Sequence, residues 1–122
     1  MSSKIYVAGR YSAPAEMERE FNVETAKRVG VLLEQKGHHA IVPHLSHYLD
    51  LQAKAMGVEI PYEDWIRHGL EQLSMCDAML VISESPGVKR EIEFAEEHHI
   101  PFYYRIEDIP LKENPVGHVD DF

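Results

Sequence analysis

Short apolar runs alternate with longer amphipathic segments along this chain. Runs of apolar and β-branched residues bounded by Gly, Pro or polar residues are typical of strands, and apolar residues at three- and four-residue spacing are typical of helices. Four strands are predicted, at Lys4–Ala8, His39–Val42, Asp77–Ile82 and Pro101–Tyr104. Three helices are predicted, at Pro14–Lys36, Tyr62–Ser74 and Val88–His98.

The remaining segments are less regular. Residues 44–60 are expected to form helical pieces with a loop around Gly57, and the tail from Ile106 onward is expected to be irregular. The apolar stripe of the first helix is predicted to comprise Met17, Phe21, Val29, Leu32 and Leu33. The stripe of the helix that begins at Tyr62 is predicted to comprise Tyr62, Ile66, Leu70 and Leu73.

Alternation of strands and helices predicts an α/β fold with a parallel sheet covered on both faces. Right-handed crossovers then favour the strand order 2-1-3-4. The expected architecture is a Rossmann-like or flavodoxin-like three-layer sandwich with a four- to five-stranded sheet, forming a single domain over residues 1–122.

The segment from Asp77 to Ala95 carries the clearest functional signal, because a strand, a Ser-Pro-Gly turn and a helix follow one another. Ser85 is a suitable N-cap and Pro86 suits the first helical position. The apolar stripe of this helix is predicted to comprise Val88, Ile92 and Ala95. At about 100° per residue, Glu91 flanks that stripe, whereas Glu93 points away from it. Glu91 is therefore aimed at the carboxyl edge of the sheet, unless it is a surface acid paired with a neighbouring basic residue.

The predicted strand order places two strand-to-helix loops side by side at the topological switch point, where open α/β sheets bind ligands. Gly9 and Arg10 lie in one loop, and Ser85, Gly87 and Glu91 follow the other strand. Free backbone N–H groups and a helix N-terminus at this edge suit an anion such as phosphate.

Charge and composition narrow the partners. The formal charge of −9 argues against binding to a nucleic-acid backbone, although a small phosphorylated ligand remains compatible with it. No apolar run approaches the ~20 residues of a membrane span, and no secretory signal is recognisable. The single cysteine, Cys76, excludes an internal disulfide and predicts a cytoplasmic location.

Several of these residues occur together in a known arrangement. Ile5-Tyr6-Val7-Ala8-Gly9, the pair Cys76-Asp77 and Ser85-x-Gly87-x-x-x-Glu91-x-x-x-Ala95 follow one another. This order resembles the nucleoside 2-deoxyribosyltransferase-like superfamily over residues 4–104, especially the 2′-deoxynucleoside 5′-phosphate N-hydrolases and related small proteins.

The resemblance implies roles for individual positions. Glu91 matches the glutamate that attacks the anomeric carbon, and Tyr6 matches the tyrosine that positions it. Ser85 and Gly87 match the loop that holds the sugar 5′ end or its phosphate. Gly9 and Arg10 match the first loop, and His44 matches a position that lines the nucleobase pocket. The resemblance also implies a homodimer or larger homo-oligomer, with the Tyr62–Trp65 region near the interface.

One position departs from the pattern. Relatives carry an aspartate eight residues before the Asp77 equivalent, and here that residue is Gly69. The leading hypothesis is N-glycosidic cleavage or deoxyribosyl transfer on a nucleoside or nucleoside 5′-monophosphate. The alternatives are an NAD-type glycohydrolase and a nucleotide-binding module without catalysis.

A metal site receives little support from the sequence. His44-x-x-His47 and His98-His99 invite that interpretation, but no second pair at zinc-ligand spacing accompanies them and Cys76 stands alone. The sequence therefore predicts neither a metal nor a cofactor.

Overall fold

A four-stranded, all-parallel sheet forms the centre of the molecule, whose structure is a computed structural model that describes residues 3–111. The strands run in the order β2-β1-β3-β4. They are β1 (Lys4–Ala8), β2 (His39–Ile41), β3 (Ala78–Val81) and β4 (Phe102–Tyr103). The predicted α/β fold and strand order are therefore confirmed.

Helices connect the strands, and their bounds lie within a few residues of the prediction. They are α1 (Glu16–Gln35), α2 (Ser46–Ala55), α3 (Tyr62–Ser74) and α4 (Pro86–Glu97). Short 3-10 helices span Pro43–Leu45 and Ile106–Asp108. The loop expected around Gly57 follows α2, and Gly57 has a φ of 74°. The irregular tail was predicted as far as the C-terminus, and its residues 112–122 lie outside the described residues.

Alternate residues of the two central strands face opposite layers, as a pleated strand requires. Tyr6, Ala8, Met79 and Val81 face α3 and α4. Ile5, Val7, Ala78 and Leu80 face α1 and the segment that contains Ile109. Each face of the sheet is buried, which is the predicted three-layer arrangement.

The predicted apolar stripe of α1 is wrong in large part. Met17 is 80% exposed and Phe21 is 70% exposed, and Leu32 is also exposed. The buried residues of the helix are instead Val23, Ala26, Gly30 and Leu33. A Cβ on Gly30 would lie 2.9 Å from Val42 Cγ2. Small residues therefore let α1 approach the sheet closely, and the larger apolar residues are rotated outward.

The stripes of α3 and α4 follow the predictions more closely. In α3, Leu73 is buried with Gly69, whereas Tyr62 is exposed. In α4, Val88 and Ala95 are buried against the sheet. Ser85 caps α4, as predicted, because its hydroxyl oxygen accepts a hydrogen bond of 3.2 Å from the backbone N–H of Val88.

Helix length and hydropathy bear on membrane association. Among the helices within residues 3–111, none combines the length and the apolar character needed to cross a bilayer.

Candidate active site

A tyrosine and a glutamate form a direct pair at the carboxyl edge of the sheet. Tyr6, which is fully buried in β1, donates a hydrogen bond from its hydroxyl to Oε2 of Glu91. The alternative expectation, that Glu91 pairs with a basic neighbour on its own helix, is wrong for Arg90, which instead pairs with Glu63 at 3.0 Å. The period of α4 thus turns Glu91 inward, while Glu93 is exposed.

The environment of this pair raises the pKa of both side chains. Burial raises the pKa of the Glu91 carboxyl from 4.5 to about 7, although the hydrogen bond from Tyr6 acts in the opposite direction. Burial, together with the Glu91 charge, raises the pKa of Tyr6 well above its usual value. Tyr6 therefore remains a neutral hydrogen-bond donor at pH 7, while Glu91 is poised between its two forms.

The departure at position 69 lies directly against this pair. A Cβ built on Gly69 would lie 2.8 Å from the Tyr6 hydroxyl and 3.6 Å from Glu91 Oε2. The first distance is shorter than van der Waals contact allows, and the ring of Tyr6 is too enclosed to move easily. The lack of a side chain at Gly69 is therefore what allows Tyr6 to reach Glu91 beneath α3.

The pair opens into a cavity of about 480 Å³, within the usual size range of small-molecule sites. The seven residues predicted from sequence all line it: Tyr6, Gly9, Arg10, His44, Ser85, Gly87 and Glu91. The two loops predicted to converge at the switch point of the sheet are therefore adjacent in the structure.

The N-terminal end of α4 forms one wall of the cavity. Gly87 and Glu91 are four residues apart, so they lie on one face of the helix, about 6 Å apart along its axis. Ser85 already uses its hydroxyl oxygen as the cap of α4. The guanidinium of Arg10 donates to the carbonyl oxygen of Glu84 at 3.3 Å, which keeps its charge beside this helix end.

His44 has a structural task in addition to lining the cavity. It is buried, and its Nε2 is 2.9 Å from the carbonyl oxygen of Gly9, to which it donates. Burial lowers the pKa of His44, so the ring is neutral at pH 7. The contact fixes the loop after β1 against the segment after β2.

The cavity is also lined by three residues that were not predicted from the sequence as part of a site, namely Tyr11, Asp50 and Trp65. Trp65 Nε1 donates to Asp50 Oδ1 at 3.3 Å, and Asp50 also forms an ion pair with Lys54 at 3.1 Å. The Tyr11 hydroxyl shares a hydrogen bond of 2.9 Å with His47 Nδ1. Trp65 is the only tryptophan of the chain, and that was the one available signal, since Asp50 lies in the segment whose structure the sequence left open.

Comparison with known proteins identifies the family. A family profile described as a domain of unknown function, DUF7768, matches residues 3–105. Because this match covers most of the chain, the protein belongs to that family. A search of curated proteins gave no match.

Proposed function

We propose that this DUF7768 domain cleaves or transfers the N-glycosidic bond of a nucleoside or nucleoside 5′-monophosphate, with Glu91 as the nucleophile. The observation that carries the proposal is the partly buried Glu91 carboxylate, hydrogen-bonded by Tyr6 within a ligand-sized cavity. The order of motifs that resembles the nucleoside 2-deoxyribosyltransferase-like superfamily supports the same chemistry.

The reaction follows from the carboxylate. An oxygen of Glu91 attacks the anomeric carbon as the bond to the nucleobase nitrogen breaks, and the bonding electrons leave with the base, which takes up a proton. Positive charge that develops on the sugar is stabilised by the carboxylate beneath it. Water then attacks the same carbon, frees Glu91 and releases a proton, or a second base attacks in a transfer. Tyr6 acts as a positioning residue, because its hydroxyl holds the attacking group in one orientation.

The α4 wall supports a substrate with a phosphate at its 5′ end. The N–H group of Gly87, the helix dipole and Arg10 favour an anion, whereas the N–H groups of Val88 and Lys89 are already bonded to Ser85. Glu91 lies one turn further along the same face, a span comparable to that between the two ends of a pentose 5-phosphate. The cavity of about 480 Å³ is in the lower half of the range for ligand sites, which favours a mononucleotide over a dinucleotide such as NAD.

The direct test is a chromatographic screen for free base released from a panel of nucleosides, their 5′-monophosphates and NAD. Glu91→Gln preserves the size of the side chain but cannot attack, so base release should fall by several powers of ten, each worth ~1.4 kcal/mol of barrier. Glu93→Gln is the matched control, since Glu93 is exposed on the same helix, and it should retain the wild-type rate.

The outcomes separate the candidate functions. Free base with deoxyribose phosphate supports the proposed reaction, whereas nicotinamide with ADP-ribose would replace it with an NAD glycohydrolase. Equal rates for the two variants would refute the nucleophilic role of Glu91. Binding of nucleotide without release of any base would favour a non-catalytic module. Gly69 favours this second candidate function, a non-catalytic module, because the glycine has no side chain that could supply a proton to the leaving group.

We also propose that the chain forms a homodimer or a larger assembly, as the resemblance implies. The Tyr62 side chain at the rim of the cavity is 52% exposed, whereas Trp65 is partly buried within the chain. The predicted contact therefore falls on the Tyr62 end of that region. Light scattering at micromolar concentration should give at least twice the mass of one chain, and a monomer would contradict this proposal.

A further inference from the structure

His47 has one ring nitrogen with a partner and one without. The side chain is only 2% exposed, and Nδ1 shares its hydrogen bond with Tyr11. Within the part of the chain that the structure describes, Nε2 has no hydrogen-bond partner, and neither has Oε1 of Glu16. These two buried atoms face each other at 3.4 Å. An unpartnered buried polar atom is costly, so two of them turned toward one point require an explanation.

A second carboxylate lies at the same point. Glu16 and Glu20 are four residues apart on α1 and so share a face of the helix. Ligand atoms of Glu16, Glu20 and His47 all lie within 4.8 Å of one another. Arg19 occupies the other oxygen of Glu16, with Nη2 at 2.6 Å and Nε at 3.2 Å from Oε2, and it leaves Oε1 turned toward His47.

The separation of the facing atoms fits a shared metal ion. A hydrogen bond between nitrogen and oxygen is usually ~2.7–3.2 Å long. Two ligands at ~2.05 Å and ~2.1 Å from a zinc ion, at a tetrahedral angle, are ~3.4 Å apart. The distance between His47 Nε2 and Glu16 Oε1 is thus that expected of two neighbours in one coordination sphere.

We propose that Glu16 Oε1, the Glu20 carboxylate and His47 Nε2 bind a divalent transition-metal ion of the zinc type. One imidazole with two carboxylates suits Zn²⁺, whereas Ca²⁺ and Mg²⁺ prefer ligand sets made of oxygen alone. Three protein ligands leave a fourth position for water. With Nε2 on the metal, Nδ1 of His47 carries the ring proton and donates a hydrogen bond to the Tyr11 hydroxyl. Such an outer contact orients histidine ligands.

The site has a structural consequence for the cavity. It joins the start of α1 to α2, and through His47 it holds Tyr11, which lines the cavity. The pair His44-x-x-His47 does not form the site, because His44 is hydrogen-bonded to the carbonyl oxygen of Gly9. The partners of His47 lie on α1, about thirty residues away in the chain, so ligand spacing gave no indication of them.

The test measures metal binding directly and does not depend on the proposed N-glycosidase reaction. Protein treated with a chelator is titrated with Zn²⁺ by calorimetry and with Co²⁺ by visible absorption, with Mg²⁺ and Ca²⁺ as comparison ions. We expect one Zn²⁺ per chain, a cobalt spectrum without thiolate bands, and a melting temperature that rises with Zn²⁺ concentration.

Variants locate the site. Glu20→Gln changes an exposed side chain and should not impair folding, yet it should weaken Zn²⁺ binding by ~100-fold or more, since removal of an outer contact alone costs ~10–100-fold. Tyr11→Phe removes only such an outer contact and should weaken Zn²⁺ binding by ~10–100-fold. Glu18→Gln, exposed on the same helix, is the control and should bind as the wild type does. Absence of Zn²⁺ binding by the wild type, or unchanged binding by Glu20→Gln, would overturn the proposal.

Discussion

Replacement of Glu91 by glutamine should change the pH dependence of stability in a way that needs no substrate. Folding raises the pKa of Glu91 from 4.5 to about 7, so the folded state binds this proton more tightly than the unfolded state does. The stabilising contribution of neutral Glu91 is complete below pH 4.5 and is lost as the pH rises through about 7. Each pH unit is worth about 1.4 kcal/mol, which makes the total loss about 3 kcal/mol.

The glutamine variant lacks this loss, because its side chain is neutral at every pH and its carbonyl oxygen still accepts the hydrogen bond from Tyr6. The free energy of unfolding of Glu91→Gln minus that of the wild type should therefore increase by about 3 kcal/mol between pH 4.5 and pH 8. For a chain of this size, that increase corresponds to a shift of about 10 °C, from pH 4.5 to pH 8, in the melting temperature of the variant relative to that of the wild type.

Urea unfolding with linear extrapolation at half-unit steps of pH measures this difference. Other titrating groups are common to both proteins and cancel in the subtraction. Glu93→Gln is the control, because Glu93 is exposed on the same helix and its replacement should not reproduce the increase of about 3 kcal/mol. A flat difference for Glu91→Gln as well would show that the Glu91 carboxylate is not held in a desolvated position, and would refute the reasoning.

Three other predictions concern the same site. The value of kcat/KM for base release should rise with pH and level off above about pH 7, since only ionised Glu91 attacks; initial rates across pH 5–9 test this, and a rate that falls over that range would contradict it. Gly69→Ala should destabilise the protein by ~1–3 kcal/mol and slow base release, because the added Cβ meets the Tyr6 hydroxyl. The control is Gln72→Ala, on an exposed face of α3, which should change neither the stability nor the rate of base release. Ser85→Ala should cost ~1 kcal/mol in chemical denaturation through loss of the α4 cap, whereas Ser85→Gly should cost only a few tenths.

The contact between Tyr6 and Glu91 could be predicted from the sequence, because the direction of each side chain depends on local periodicity. The alternation of β1 decides which layer Tyr6 faces, and the helical period from the Ser85 cap decides that Glu91 turns inward. Parallel topology then supplies the only long-range information required, namely which strand ends are neighbours. This is why all seven predicted residues line one cavity.

The failures concern features that depend on distances between elements. On α1, the sequence pattern predicts that the largest apolar residues face the sheet, but the close approach at Gly30 turns Met17 and Phe21 outward. The contact between Asp50 and Trp65 joins two helices whose relative placement no sequence period encodes. The same holds for His47 and Glu16, which face each other from different helices.

The role of Gly69 can be recognised only in the folded chain. In the sequence, glycine in place of the aspartate of the resembled families indicates a lost acid. In the structure, the missing side chain makes room for the Tyr6 hydroxyl, and even a Cβ at this position would disturb the contact with Glu91. An aspartate could not be restored here without moving the tyrosine that holds the proposed nucleophile. The glycine and the Tyr6–Glu91 pair therefore form one arrangement, and any proton delivered to a leaving base must come from another lining residue or from water.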